Sequence, residues 1–183
     1  MHRAGFQTQP NPHTMKIIFS HGKESGPWGT KIRRLGDIAR NRNLEVDSID
    51  YTDLMDPEAR VERLLDVVAG ETEDCLLAGS SMGGYVALVA GGRTPNRGVF
   101  LMAPALYMPG FASQDYSPNT SLVHIVHGWN DDIIPVDNSI RFARETGSQL
   151  HLLNGNHALS DALDQVDQCF AIFLNQALYK QHA

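Results

Sequence analysis

Six short apolar runs, separated by longer stretches with a helical period, leave this chain few folds to choose from. The runs cover residues 15–20, 44–49, 75–78, 98–102, 122–126 and 149–153. Each has strand length, and most carry β-branched or aromatic residues. Between them apolar residues recur at steps of three and four. Trp28, Ile32, Leu35 and Ile38/Ala39 form one such stripe, and Val61, Leu64, Leu65 and Val68 a second. Leu163, Val166, Phe170, Phe173/Leu174 and Ala177 form a third. Asp56-Pro57 supplies a cap and a first-turn proline for the second of these helices, and Gly70 a stop. Residues 82–90 are nearly all apolar, as a helix at the centre of a sheet would be. Strands alternating with helices in this way build a parallel sheet covered on both faces: an α/β three-layer sandwich of about six parallel strands.

The chain's 183 residues fit one such domain, read here as residues 15–183, with residues 1–14 as a flexible leader. That leader lacks an apolar run long enough for a signal peptide, which gives a cytoplasmic expectation, and no segment approaches ~18 uninterrupted apolar residues. Fifteen Lys and Arg against twenty-one Asp and Glu, a net charge of -6 without a basic block, argue against a nucleic-acid partner. The small clusters at 31–34 and 141–144 read as solvated helix faces. Cys75 and Cys169 sit in apolar segments and imply no disulfide framework. Residues 104–120 have no period and hold three prolines, which reads as a loop crossing the sheet edge, where loops often line a site.

The chemistry concentrates at Gly79-Ser80-Ser81-Met82-Gly83-Gly84, between the third strand and the apolar helix. G-x-S-x-G in that context reads as a nucleophile elbow, a turn whose strained centre lifts a hydroxyl clear of the strand and whose flanks must be small. A phosphate cradle is disfavoured, because neither G-x-G-x-x-G nor a G-K-[ST] ending is present. A serine needs a base to be nucleophilic, and the base needs an acid to fix its tautomer. Asp131 follows the fifth strand and His157 the sixth. In a parallel sheet all these strand ends share one edge, and the chain order Ser81, Asp131, His157 is the one such a triad requires. Asp132, one residue on, is a rival for the acid. The backbone N–H of Met82 and that of Lys23, in the turn after the first strand, are the expected oxyanion donors. His124 and His127, three apart on a strand, should face opposite ways and cannot share a metal, and His151 reads as a half-buried sheet residue. No metal or cofactor is expected.

With these residues in view, the chain resembles the α/β-hydrolase superfamily from about residue 15 to 178, and within it the small, lidless bacterial esterases. The resemblance rests on the elbow at Ser81, on His21-Gly22-Lys23 as the oxyanion turn, and on His127 to Pro135 as H-G-x-x-D-x-x-[IV]-P with Asp131 as acid. It implies acyl transfer from a small ester or thioester through an acyl-enzyme. The strands that commonly precede the first one are absent, and no insertion after residues 98–102 is long enough for a helical lid, which favours an open site over a long-chain lipase. Trp28, Tyr107, Met108 and Trp129 are expected to wall the acyl pocket. Two other readings remain open at this level, a peptidase or amidase of the same fold and a non-catalytic ligand-binding module.

Overall fold

A computed structural model describes residues 15–179, so the expected leader at 1–14 lies outside the described residues. The six strands form in the expected places, as β1 (Lys16–Ser20), β2 (Glu45–Ile49), β3 (Cys75–Ser80), β4 (Gly98–Met102), β5 (Val123–Gly128) and β6 (Gln149–Leu153). All pair in parallel in a single sheet of order β2-β1-β3-β4-β5-β6. Among the described residues five α-helices accompany them: α1 (Thr30–Arg40), α2 (Pro57–Ala69), α3 (Met82–Arg93), α4 (Val136–Thr146) and α5 (Leu163–Tyr179), the last preceded by a 3₁₀ turn at Ser160–Ala162. The cap signals are realised at α2, where Asp56 Oδ2 accepts from the Ala59 N–H at 2.8 Å and Pro57 opens the helix.

Two apolar cores lie on the two faces of the sheet, as a three-layer fold demands. On one face Val61 and Leu64 of α2, residues 85–90 of α3 and Phe142 of α4 close over Ile18, Leu77, Leu101 and Ile125. On the other, Ile32, Leu35 and Ala39 of α1 and Val166, Phe170, Phe173 and Leu174 of α5 cover Ile17, Phe19, Phe100 and Val126. α3 is buried along most of its length, which explains its lack of a polar face. Cys75 and Cys169 are buried free thiols, packed as small hydrophobes.

The strand order fixes where a ligand can bind. From β1 the chain runs outward to β2 and then returns to form β3 on the other side of β1. The connections leaving β1 and β3 therefore turn to opposite faces, and a crevice opens between them at the C-terminal ends of the strands. Trp28 departs from expectation: α1 begins only at Thr30, and Trp28 sits in the preceding turn, half-buried against the α1/α5 core with the Arg40 guanidinium 5.6 Å above its ring.

Candidate active site

Ser81 stands at the crevice with φ 56° and ψ -121°, a conformation that is costly for a residue with a Cβ. Its surroundings enforce that strain. Its N–H donates to Met102 O on β4, while its carbonyl accepts from the N–H groups of Gly84, Tyr85 and Ala105. The turn also requires backbone contact on both sides. A Cβ at Gly79 would lie 2.0 Å from Gly83 O, and one at Gly83 would lie 2.0 Å from Ser20 O, so neither position accepts a larger residue without moving main chain.

The two other strand ends deliver their side chains to this point. His157 Nε2 lies 3.1 Å from Ser81 Oγ, and His157 Nδ1 lies 2.7 Å from Asp131 Oδ2. Because a carboxylate only accepts, Nδ1 carries the proton and Nε2 presents its lone pair to the serine hydroxyl. Asp132, exposed and one residue further along the turn, does not reach His157. The loops that carry Asp131 and His157 are also joined by main chain: Trp129 N–H donates to Leu153 O and Asn130 N–H to Gly155 O.

Asp131 is saturated with donors. Oδ1 accepts from the N–H groups of Ile133 at 2.9 Å and Ile134 at 2.8 Å, and Oδ2 accepts a second imidazole, His127 Nε2–H, at 2.9 Å. Burial by itself would raise this carboxyl, but the Ile134 N–H, the His157 ring and the Ile133 N–H outweigh it and hold it below the ordinary aspartate value. His127 is fully buried and kept neutral by desolvation, with its Nδ1 2.7 Å from the Ser139 hydroxyl. It braces the Asp131 carboxylate from behind, a contact that sequence reasoning missed although the i,i+4 spacing to Asp131 could have pointed to it.

The turn after β1 supplies the opposite wall. A Cβ on Gly22 would stand 3.5 Å from the Ser81 Cβ, so this turn passes directly beside Ser81. His21 Nε2 accepts from the Tyr51 N–H at 2.9 Å, so its Nδ1–H donates to Gly22 O at 2.7 Å. Arg60 Nη1 at 3.3 Å and the Ser25 hydroxyl at 3.5 Å also donate to this carbonyl. Arg60 is fully buried and has no carboxylate partner among the described residues. It serves the carbonyls of Leu54, His21, Gly22 and Tyr51 and stacks 5.2 Å from the Tyr51 ring. With the Gly22 carbonyl drawn toward Arg60, the N–H of Lys23 on the far side of the same trans peptide points the other way. Lys23 lines the cleft, as does Met82, whose N–H is among those left without an intrahelical acceptor at the start of α3.

The cleft has a volume of about 760 Å³ and contains Ser81 and His157. Of the four side chains expected to wall it, Met108 does so, in company with Phe111 and Ile133, whereas Trp28, Tyr107 and Trp129 are not among its lining residues. Tyr107 instead stacks edge-on against Tyr116 at 5.1 Å, donates to Glu145 at 2.8 Å and carries the Arg141 guanidinium 3.9 Å above its ring. Trp129, 55% exposed, stands outside the cleft beyond the end of β5. His124 and His127 do face opposite sides of the sheet: His124 packs against Phe173 and half-buried His151, while His127 meets Ser139 of α4. Among the described residues no cluster of three or more His, Cys, Asp or Glu could hold a metal, and no helix is long and apolar enough to cross a membrane.

Comparison with known proteins agrees with this fold. The profile of an uncharacterised protein family, UPF0227, matches residues 16–116. A candidate hydrolase of the alpha/beta superfamily from Xanthomonas campestris is 31% identical, over 88% of this chain and 98% of that one, with a TM-score of 0.81. Est1E from Butyrivibrio proteoclasticus shares the fold at 17% identity and a TM-score of 0.77, over 92% of this chain and 90% of its own. A lidless a/b serine hydrolase from Xanthomonas campestris does so at 18% identity and a TM-score of 0.70, over 92% and 85%. A search of the curated proteins finds no match. The chain belongs to the uncharacterised family UPF0227 and, by fold and by its 31% identical relative, to the α/β-hydrolase superfamily.

Proposed function

We propose that this chain is a serine hydrolase that cleaves small esters or thioesters through an acyl-enzyme on Ser81. The observation that carries the reading is one imidazole held between a hydroxyl and a buried carboxylate, with His157 Nε2 3.1 Å from Ser81 Oγ and Nδ1 2.7 Å from Asp131 Oδ2. As Ser81 Oγ adds to the carbonyl carbon, its proton passes to His157 Nε2, and the Met82 and Lys23 N–H groups receive the charge developing on the carbonyl oxygen. The imidazolium then gives that proton to the departing alcohol or thiol. Water, deprotonated by the same nitrogen, releases the acid from Ser81. Asp131 stays ionised throughout and keeps the ring in the competent tautomer.

The open cleft, with no helical insertion above it, suits short acyl groups. Residues 15–183 as a single catalytic domain, cytoplasmic and working without a cofactor, complete the reading; that part rests on the sequence alone. Labelling of the intact protein with a fluorophosphonate, mapped by mass spectrometry, is the direct test, since only an activated serine reacts readily. The label is expected on Ser81. Ser81→Ala is expected to keep its thermal midpoint while losing both labelling and p-nitrophenyl butyrate hydrolysis. A Ser81→Ala protein that still turned over the ester at the wild-type rate would remove Ser81 from the chemistry.

A further inference from the structure

One wall of the cleft carries a positive charge that Ser81, His157 and Asp131 do not use. The cleft has two unlike halves, one toward each face of the sheet. Ala105, Met108, Phe111 and Ile134 belong to the core on the α2/α3 face or pack against it, and they make one half apolar. The other half is bounded by the β1–α1 turn and the start of α1, on the face where Ile32 joins the second core. Lys31 lines this half.

Lys31 is half-buried, and its ammonium forms no hydrogen bond or ion pair with any described residue. The first turn of α1 contains no acidic side chain, and Glu24, the carboxylate that lines the cleft, is exposed to water. The field of Asp131 reaches Lys31, but both Asp131 oxygens are already taken by two imidazoles and two backbone N–H groups. Desolvation lowers the Lys31 pKa, the direction expected of an ammonium that has lost water without gaining a partner. An unpaired, partly desolvated cation raises the free energy of the empty protein, and an anion arriving with a ligand would relieve that cost. Lys23, the other lysine of the lining, is exposed to water, as Glu24 is, so Lys31 is the one desolvated ammonium among the described lining residues. One such charge matches a single negative charge, which favours a carboxylate over a doubly charged phosphate.

We propose that Lys31 forms a carboxylate-binding subsite, and that the ester or thioester cleaved at Ser81 carries a carboxylate on one side of the scissile carbonyl and a short apolar group on the other. The inference rests on the reading of Ser81 as nucleophile and adds the substrate class to it. It is tested with 4-(butyryloxy)benzoate against the uncharged 4-(butyryloxy)benzamide, whose leaving phenols differ little apart from charge. The wild type is expected to favour the benzoate in kcat/KM by ~10-fold, about what one charge-assisted hydrogen bond supplies. Lys31→Met, and Lys31→Gln as a second variant, are expected to bring that ratio to about one. A wild-type ratio near one, or an unchanged ratio in the variants, overturns the subsite.

Direct titration with the uncleavable ethers 4-butoxybenzoate and 4-butoxybenzamide separates this from the hydrolase reading. If neither ester is cleaved and Ser81 takes no label, the hydrolase reading fails. Tighter binding of the ether benzoate by the wild type than by Lys31→Met still upholds the subsite, and equal binding removes it.

Discussion

Asp131 Oδ2 accepts from two imidazoles at once, His157 at 2.7 Å and His127 at 2.9 Å, and only one of them faces the serine. An asparagine at 131 keeps the shape but offers an N–H that can donate to His157 Nδ1, driving the ring into the tautomer whose Nε2 carries the proton. Asp131→Asn is therefore expected to lower kcat for a short ester ~10³–10⁴-fold. Asp132→Asn, altering an exposed side chain outside the bonded set, is expected to stay within about twofold. Steady-state kinetics on the two variants decides between the neighbours, and the reverse outcome would reassign the acid. At this scale the positions of Ser81, Asp131 and His157 were legible because each follows a strand, and strand ends of a parallel sheet share an edge. The pocket walls were not. Tyr107 and Trp129 lie in segments without a period, so no face could be read from spacing, and their rings turn to Tyr116, Arg141 and solvent.

α2 does more than cover the sheet, because its fourth residue, Arg60, reaches under the β1 turn and holds the His21 and Gly22 carbonyls at 3.2 and 3.3 Å. His21 Nδ1–H grips the same Gly22 carbonyl at 2.7 Å, and Arg60 adds a charged hold on the peptide plane that presents the Lys23 N–H. Removing an oxyanion donor outright typically costs 10²–10³ in kcat, and a displaced donor should cost less. Arg60→Met is expected to lower kcat ~10–10²-fold per fluorophosphonate-titratable site, with KM for p-nitrophenyl butyrate changing by no more than about threefold. A merely structural arginine would reduce the number of titratable sites and leave kcat per site unchanged. Arg60 could have been found in the sequence, since it precedes Leu64 by four positions and so shares the buried stripe of α2. A charge on an apolar stripe needs a polar partner, but which carbonyls it meets depends on the sheet order, and spacing along the chain does not carry that order.

Buried histidines set the acid tolerance of the whole molecule. His21, His124, His127 and His151 all have pKa values lowered from the ordinary 6.5 by desolvation. Two lie at the candidate site, His21 in the turn after β1 and His127 against Asp131, while His124 and His151 lie together between β5, β6 and α5. In the folded protein each stays neutral at a pH where the unfolded chain has already taken up its proton. Stability therefore falls as pH drops through about 6.5, each ring contributing up to ~1.4 kcal/mol per pH unit until its own folded-state value is reached. Asp131 adds a second, more acidic window. Its carboxyl is lowered in the folded state, so its stabilisation is complete above the ordinary carboxylate value of about 4 and is lost as pH falls below it. Urea midpoints measured from pH 7.5 to 4.5 at constant ionic strength are expected to hold level above pH 7 and to decline from about 6.5, with more than one proton taken up per molecule unfolded. His127→Gln is expected to make that decline shallower by up to one proton, whatever it does to stability at neutral pH. Midpoints that stayed level down to pH 5 would mean that these rings protonate in place, and with them the neutral His127 that braces Asp131 would be lost from the account.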